Sequence, residues 1–289
     1  MHYDGDIIRP PSEADSIIIQ VTVGCSHNRC TFCGAYRTKK FRPRTHEEIA
    51  GNIDFAAQYC RRQRRVFLAD GDALILPQKR LEDILTLIRS RLPQVRRIAL
   101  YANAKAIRSK TPDQLAQLKE LGLDRIYMGL ESGDDQVLTA VAKGESGKSM
   151  LAAALQVKAS GIFLSVTVLL GLAGVDNSLR HAQATGHVLT EMAPNQIAAL
   201  MFMPLPGTPL GDQVLAGRFQ LPDSHGLLSE LHELLNHLHC DRVQFMANHA
   251  SNYLPLTGRL GRDKEQMLQL IDQALRGRIN LRAEFMRGL

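Results

Sequence analysis

Three of the five cysteines, Cys25, Cys30 and Cys33, fall within nine residues of the stretch GCSHNRCTFC, spaced C-x4-C-x2-C. In a reducing compartment, thiols so close together are metal ligands rather than disulfide partners. Fe–S clusters take such ligands, and so do zinc ribbons. A structural zinc site wants four protein ligands. There is no second C-x2-C, which leaves His27 as the candidate fourth. Three cysteines on a cluster instead leave one iron open to an outside molecule, as catalysis requires, and this reading is favoured over zinc. Cys60 and Cys240 stand alone.

The elements around this loop follow from hydrophobic patterning. Strands are expected at SIIIQVTV (16–23), VFLAD (66–70), RIALYAN (97–103), RIYMGLES (125–132), IFLSVTVLLG (162–171) and QIAALMFMPL (196–205). Amphipathic helices come between them. One opens at the capping-box sequence Thr45-His46-Glu47-Glu48 and runs to about Tyr59. Another buries the stripe Leu81, Ile84, Leu85, Ile88 and Leu92. A third starts at Thr111-Pro112 and stops at Gly122. Helices are also expected from the fourth strand to about Ser160 and from Ser178 to Met192.

Six strand–helix repeats imply parallel strands joined by crossover helices, with both sheet faces buried. The expected fold is a partial (β/α)6 barrel; a flat doubly wound sheet is the rival. In either case ligands collect at the C-terminal ends of the strands, where the cysteine loop, GDAL, YAN, GLESG and LLGLAG all fall. After PLPGTPL (204–210) the alternation stops. Residues 1–210 read as the core and 211–289 as a mainly helical C-terminal extension packed on it. Within that extension FMANHASNYLP (245–255) is a polar stretch where substrate would close the barrel. His249, Asn252 and Tyr253, and with them Cys240, are candidates to touch substrate or supply a proton or hydrogen atom. A capping turn with satisfied polar groups is the alternative.

The composition, 45% hydrophobic with no Trp, gives a large core of Leu, Ile, Val and Ala. At 289 residues such a barrel needs no division. No cationic segment leads into an apolar run at the N-terminus, and the longest apolar run, IFLSVTVLLGLAGV, is a buried strand rather than a membrane span. A cytoplasmic location without membrane contact is expected. The net charge of +6 suits an anionic substrate or nucleic acid but does not bear on fold.

GCSHNRCTFC after the first strand, ADGDAL after the second, GLESG at the fourth and PLPGTPL after the sixth together resemble the radical SAM superfamily. The resemblance runs from Ile17 to Leu210. It implies that Cys25, Cys30 and Cys33 bind a [4Fe–4S] cluster whose fourth iron chelates S-adenosylmethionine (SAM). One-electron cleavage of SAM would then give a 5′-deoxyadenosyl radical. The commonest family spacing is C-x3-C-x2-C; the extra residue between Cys25 and Cys30 leaves the subgroup open. The resemblance further implies that Phe32 lines the adenine side, that Gly71 and Asp72 meet the methionine ammonium, and that Glu131, beside Ser132, holds the ribose hydroxyls. Asn103 and the backbone at Leu170 and Gly171 would complete the cofactor wall. Without a ligand, ADGDAL would be a plain strand-end turn, and Glu131 half of an internal salt bridge.

Other motifs are set aside. AKGESGKS (142–149) fits a relaxed phosphate loop but follows helix rather than strand, and its Lys-Gly is what the resemblance places after GLESG. HELLNH (232–237) spaces its histidines five apart, off a common helix face, over a stripe of Leu228, Leu231, Leu235 and Leu238. The basic runs RTKKFRPR (37–44) and RRQRR (61–65) read as solvated faces; alternatively they attract an anionic substrate or reductase.

The expected activity is radical SAM chemistry on a small molecule, with a ferredoxin- or flavodoxin-type electron donor. No stretch is left for a cobalamin domain or an RNA-binding module, so RNA modification ranks second. A non-catalytic Fe–S sensor is the alternative outside enzymes.

Overall fold

The computed structural model describes residues 1–288. Along the chain come β1 (Ile17–Gln20), β2 (Thr22–Val23), β3 (Arg42–Pro43), α1 (His46–Tyr59), β4 (Arg65–Ala69), α2 (Gln78–Arg91), β5 (Arg97–Tyr101), α3 (Ala104–Arg108), α4 (Pro112–Glu120) and β6 (Leu123–Glu131). They are followed by α5 (Asp135–Ala140), α6 (Gly147–Ala159), β7 (Phe163–Leu170), α7 (Gly174–Met192), β8 (Gln196–Met201), α8 (Pro209–Leu215), α9 (Ser224–Asn236), β9 (Gln244–Ala247), β10 (Leu256–Arg259) and α10 (Lys264–Leu275). Eight strands form one mostly parallel sheet in the order β1-β4-β5-β6-β7-β8-β9-β10. This is the α/β barrel-type fold expected from the repeats.

The chain divides into two compact units. The first comprises Met1–Asn28, Ala35–Met128 and Ala152–Leu164. Here β1, β4, β5 and β6 run parallel, and alternate side chains are buried on opposite faces. Ile18, Phe67, Ala69, Ala99, Tyr101 and Tyr127 meet on one face, covered by Ile7 from the N-terminal segment. Near the start of the strands, buried Glu13 accepts from Arg97 (2.7 Å), the Tyr127 hydroxyl (2.6 Å) and Ser16 (2.5 Å), so the carboxylate that closes that end is well bonded. Capping boxes at Thr45/Glu48 and Thr111/Gln114 start α1 and α4.

The second unit comprises Arg29–Gly34, Gly129–Leu151 and Ser165–Leu289. In it β7, β8 and β9 are parallel and β10 returns antiparallel. On one face Gln196 accepts from Ser165 and donates to Gln244. Above this polar layer Thr167, Leu169, Ala198 and Leu200 are half-buried, while Val166, Val168, Ile197 and Ala199 are buried.

Three expectations change in detail. The first strand breaks at Val21, after which Thr22–Val23 pairs with β3 and closes the cysteine loop. The helix expected through Ser160 is two helices, because the chain turns at Ala142 with φ +52°. The C-terminal part holds helices α9 and α10 as expected, but β9 and β10, which were not expected, extend the sheet there. Each is four residues long, too short for its alternation to stand out in sequence.

Candidate functional site

The cysteine loop leaves β2 at Gly24, whose φ of +75° only glycine adopts without strain. Two bonds bind this root to the end of β4: the Gly24 amide donates to Asp70 Oδ2 (3.0 Å), and the Gly71 amide donates to the Gly24 carbonyl (3.2 Å). A Cβ on Gly71 would lie 2.6 Å from the Tyr36 ring and 3.0 Å from the Cys25 Cβ, so the backbone packs this closely against Tyr36 and Cys25 only because the residue is glycine.

The second half of the loop belongs to the second unit. Cys33 donates its amide to the Cys30 carbonyl (3.3 Å). Thr31 between them is held on both sides, donating to the Val141 carbonyl and accepting from the Leu210 amide, each at 3.0 Å. Phe32 packs against Val137, Val141, Leu172, Phe202 and Leu210. The PLPGTPL segment therefore has a structural task, carrying Leu205 against Gly34 and Leu210 against the turn. All three cysteines are half-exposed. Among the described residues no three His, Cys, Asp or Glu side chains converge as ligands of one metal ion. A cluster does not ask for that, since each thiolate takes its own iron.

Asp72 is fully buried at the C-terminal end of β4. It accepts from the Ser26 hydroxyl, from the Asn103 amide (3.2 Å) and from Asn103 Nδ2 (2.7 Å). Asn103 is fixed in turn, because its Oδ1 caps α3 at the Ala106 amide (2.8 Å). Burial pushes the Asp72 carboxyl up to about 6 against the pull of these donors and of Lys110. The same burial lowers the Lys110 ammonium, which donates to the Leu76 carbonyl (2.6 Å). Ser26, next to Cys25, thus touches the acid that the next strand presents.

Glu131 ends β6 in the left-handed region (φ +65°) and pairs with Lys143 at 3.0 Å. That Lys is the one in the Lys-Gly following GLESG. Ser132 is buried and its hydroxyl accepts from the Asp134 amide (2.9 Å), while Asp134 caps α5 and pairs with Arg180 (2.7 Å). At the end of β7 the Leu170 carbonyl accepts from Phe202 (2.9 Å), and the Gly171 amide donates to buried Glu230 (2.8 Å). Backbone polar groups at both positions are therefore committed within the protein.

His249, Asn252 and Tyr253 follow the C-terminal end of β9, whereas Cys240 precedes its N-terminal end, so these four are not one constellation. The loop is a braced turn. Asn252 donates to the Ala199 carbonyl (2.9 Å), and Arg282 donates to the carbonyls of His249, Ala250 and Asn252. The Tyr253 phenol donates to Glu284 and accepts from Arg287 (2.6 Å); burial and Glu284 push it up to about 12. Burial lowers the His249 imidazole, and Arg282 adds to the effect. In HELLNH, His232 faces Asp272 and His237 ends α9, over a buried leucine stripe.

Sequence reasoning gave no role to Asp70, Ser26, Lys39 and Glu230, and it placed Lys143 after GLESG without pairing it with Glu131. Only Asp70 carried a signal, standing beside Gly71 and Asp72 at a strand end.

No helix among the described residues is long and apolar enough to cross a membrane. A 4′-phospho-dehydrooxetanocin synthase from Priestia megaterium is 25% identical over 182 residues, 56% of this chain, and the chain spans only 24% of that relative's length. Methylornithine synthase has a similar structure (TM-score 0.57, 16% identity), with 88% of this chain and 68% of that one covered. The coproporphyrinogen III oxidase of Escherichia coli gives the same TM-score and identity, covering 76% of this chain and 51% of its own. The Radical SAM superfamily model matches residues 19–181. The chain therefore belongs to the radical SAM superfamily, enzymes that use a [4Fe–4S] cluster and S-adenosylmethionine, with a reductant and a substrate besides.

Proposed function

We propose that Cys25, Cys30 and Cys33 hold the cluster and that the enzyme cleaves SAM reductively to act on a small molecule. The observation that carries this reading is the buried Asp72–Ser26–Asn103 group, built next to Cys25 where Gly71 lets the backbone pack against that residue. A cation-seeking carboxylate and a glycine edge beside one thiol of three fit a cofactor bearing an ammonium group. When bound, the cluster supplies the electron that splits the sulfonium of SAM and leaves a 5′-deoxyadenosyl radical. Asp72, ionised above about pH 6, attracts the ammonium, and Ser26 and Asn103 keep its oxygens aimed. Glu131 takes the ribose hydroxyls, with Lys143 as its partner until then. Phe32 offers a ring edge to adenine, while Leu170 and Gly171 add an apolar wall. Tyr253 keeps its proton at any ordinary pH and acts, if it meets substrate, as a neutral phenol.

A small-molecule substrate is supported by the name of the Priestia megaterium relative, a synthase of a phosphorylated small molecule. A ferredoxin- or flavodoxin-type protein is the proposed reductant. The test is anaerobic reconstitution with iron and sulfide, then dithionite and SAM, with 5′-deoxyadenosine assayed chromatographically. Product is expected from the wild type and absent from Cys30→Ala. Zinc bound in place of iron would overturn the reading.

A further inference from the structure

Asp70 is fully buried and the cofactor reading leaves it no task. Its Oδ2 accepts from the Gly24 amide (3.0 Å), Gln20 Nε2 (3.0 Å) and Lys39 Nζ (3.4 Å). Its own amide donates to Thr22 Oγ1 (3.2 Å). Gly24 immediately precedes Cys25, and Lys39 lies six residues beyond Cys33. One carboxylate oxygen thus grips the chain on both sides of the segment that carries the thiols. The grip is itself braced: Gln20 Oε1 accepts from buried Arg44 (2.7 Å), and Lys39 also donates to the Asp6 carbonyl. Asn28 closes the loop from within, donating to the carbonyls of Tyr36 (2.8 Å) and Lys39 (3.3 Å).

Asp70 Oδ1 is buried without a hydrogen-bond partner. A buried carboxylate oxygen left without a partner costs stability. What it gains here is loop geometry, because every group it binds lies before or after the cysteines. We propose that Asp70 is a positioning residue that locks the root of the cysteine loop and holds Cys25 in place before any cluster is present. The proposal takes its purpose from the cluster reading, but the lock is a property of the apo-protein.

The test therefore uses the full-length apo-protein. Alkylation by iodoacetamide is followed at each cysteine by mass spectrometry for the wild type, Asp70→Ala, Asp70→Asn and Lys39→Met. In Asp70→Ala, Cys25 should be alkylated about tenfold faster, the order expected for losing hydrogen bonds to a charged acceptor. Cys240, outside the loop, serves as reference and should not change. Asp70→Asn keeps an oxygen for the Gly24 amide and should restore most of the protection. Lys39→Met should give an intermediate rise, and it keeps the test open if Asp70→Ala fails to fold. An unchanged Cys25 rate in the variants would overturn the lock, as would Cys240 accelerating in parallel. Iron content of the reconstituted wild type tests the cluster reading separately.

Discussion

Asp72 carries two pH dependences of opposite sign. Its folded pKa of about 6 lies above the ordinary aspartate value because burial penalises the charged form. Between about pH 4 and 6 the folded chain holds a proton that the unfolded chain has released, so this group's contribution to stability falls as pH rises through that window. The loss has an upper limit of about 3 kcal/mol, two pKa units' worth. Attraction for an ammonium runs the other way, since it requires the ionised form. Urea midpoints of the apo-protein should fall from pH 4 to pH 6, and Asp72→Asn should flatten that dependence. SAM affinity, measured by equilibrium dialysis, should rise over pH 5 to 7 in the wild type and stay low in Asp72→Asn. Glu131→Gln should weaken SAM binding by about tenfold, as for a hydrogen bond lost at a charged acceptor. Unchanged affinity would leave Glu131 only its pairing with Lys143.

The turn from β7 into α7 depends on a residue more than fifty positions away. Glu230 on α9 accepts from the Gly171 amide (2.8 Å), His181 Nδ1 (2.9 Å) and the Ser178 hydroxyl, all buried. Removing the carboxylate strands three donors at once, so Glu230→Ala should destabilise by about 3 kcal/mol or more. That is read as a lower urea midpoint, and Glu230→Gln, which keeps one acceptor, should lose less. This arrangement also marks where the sequence stops being legible. The six core strands were readable because each is a run of apolar residues ending in turn residues. The thiols, Asp72 and Glu131 were readable because they sit at strand ends in local motifs. Glu230 is a polar residue in a helix of ordinary amphipathic pattern, and its partners Gly171 and His181 lie on other elements. Lys39 was hidden for the same reason: its pairing with Asp70, thirty-one residues away, forms only when distant segments meet and leaves no spacing to read. Strand β9 was hidden by brevity, and only its pairing with β8 reveals why the polar loop after it stands at the C-terminal edge of the sheet.

The net charge of +6 does not act on the candidate site as a whole, because strand direction separates the basic runs. Arg37 and Lys40 are exposed on the cysteine loop beyond Cys33. Arg61, Arg62 and Arg64, also exposed, precede β4, whereas Asp70, Gly71 and Asp72 follow it. Five residues of strand intervene at about 3.3 Å each, so these ends are separated by about 17 Å. That is roughly two Debye lengths at physiological ionic strength, and the arginines are solvent-exposed, so salt screens most of their field over that distance. Replacing Arg61, Arg62 and Arg64 together by Glu should change 5′-deoxyadenosine formation by less than about twofold at physiological salt. The same variant discriminates the RNA-modifying alternative, for which this run would be the obvious phosphate contact. If tRNA is a substrate, its retention should weaken with salt in the wild type and collapse in the variant. If the substrate is a small molecule, the wild type should show no salt-sensitive tRNA retention to lose. A loss of SAM cleavage in the variant, with dithionite as reductant and no RNA present, would instead mean that the charges at the start of β4 reach the candidate site despite screening.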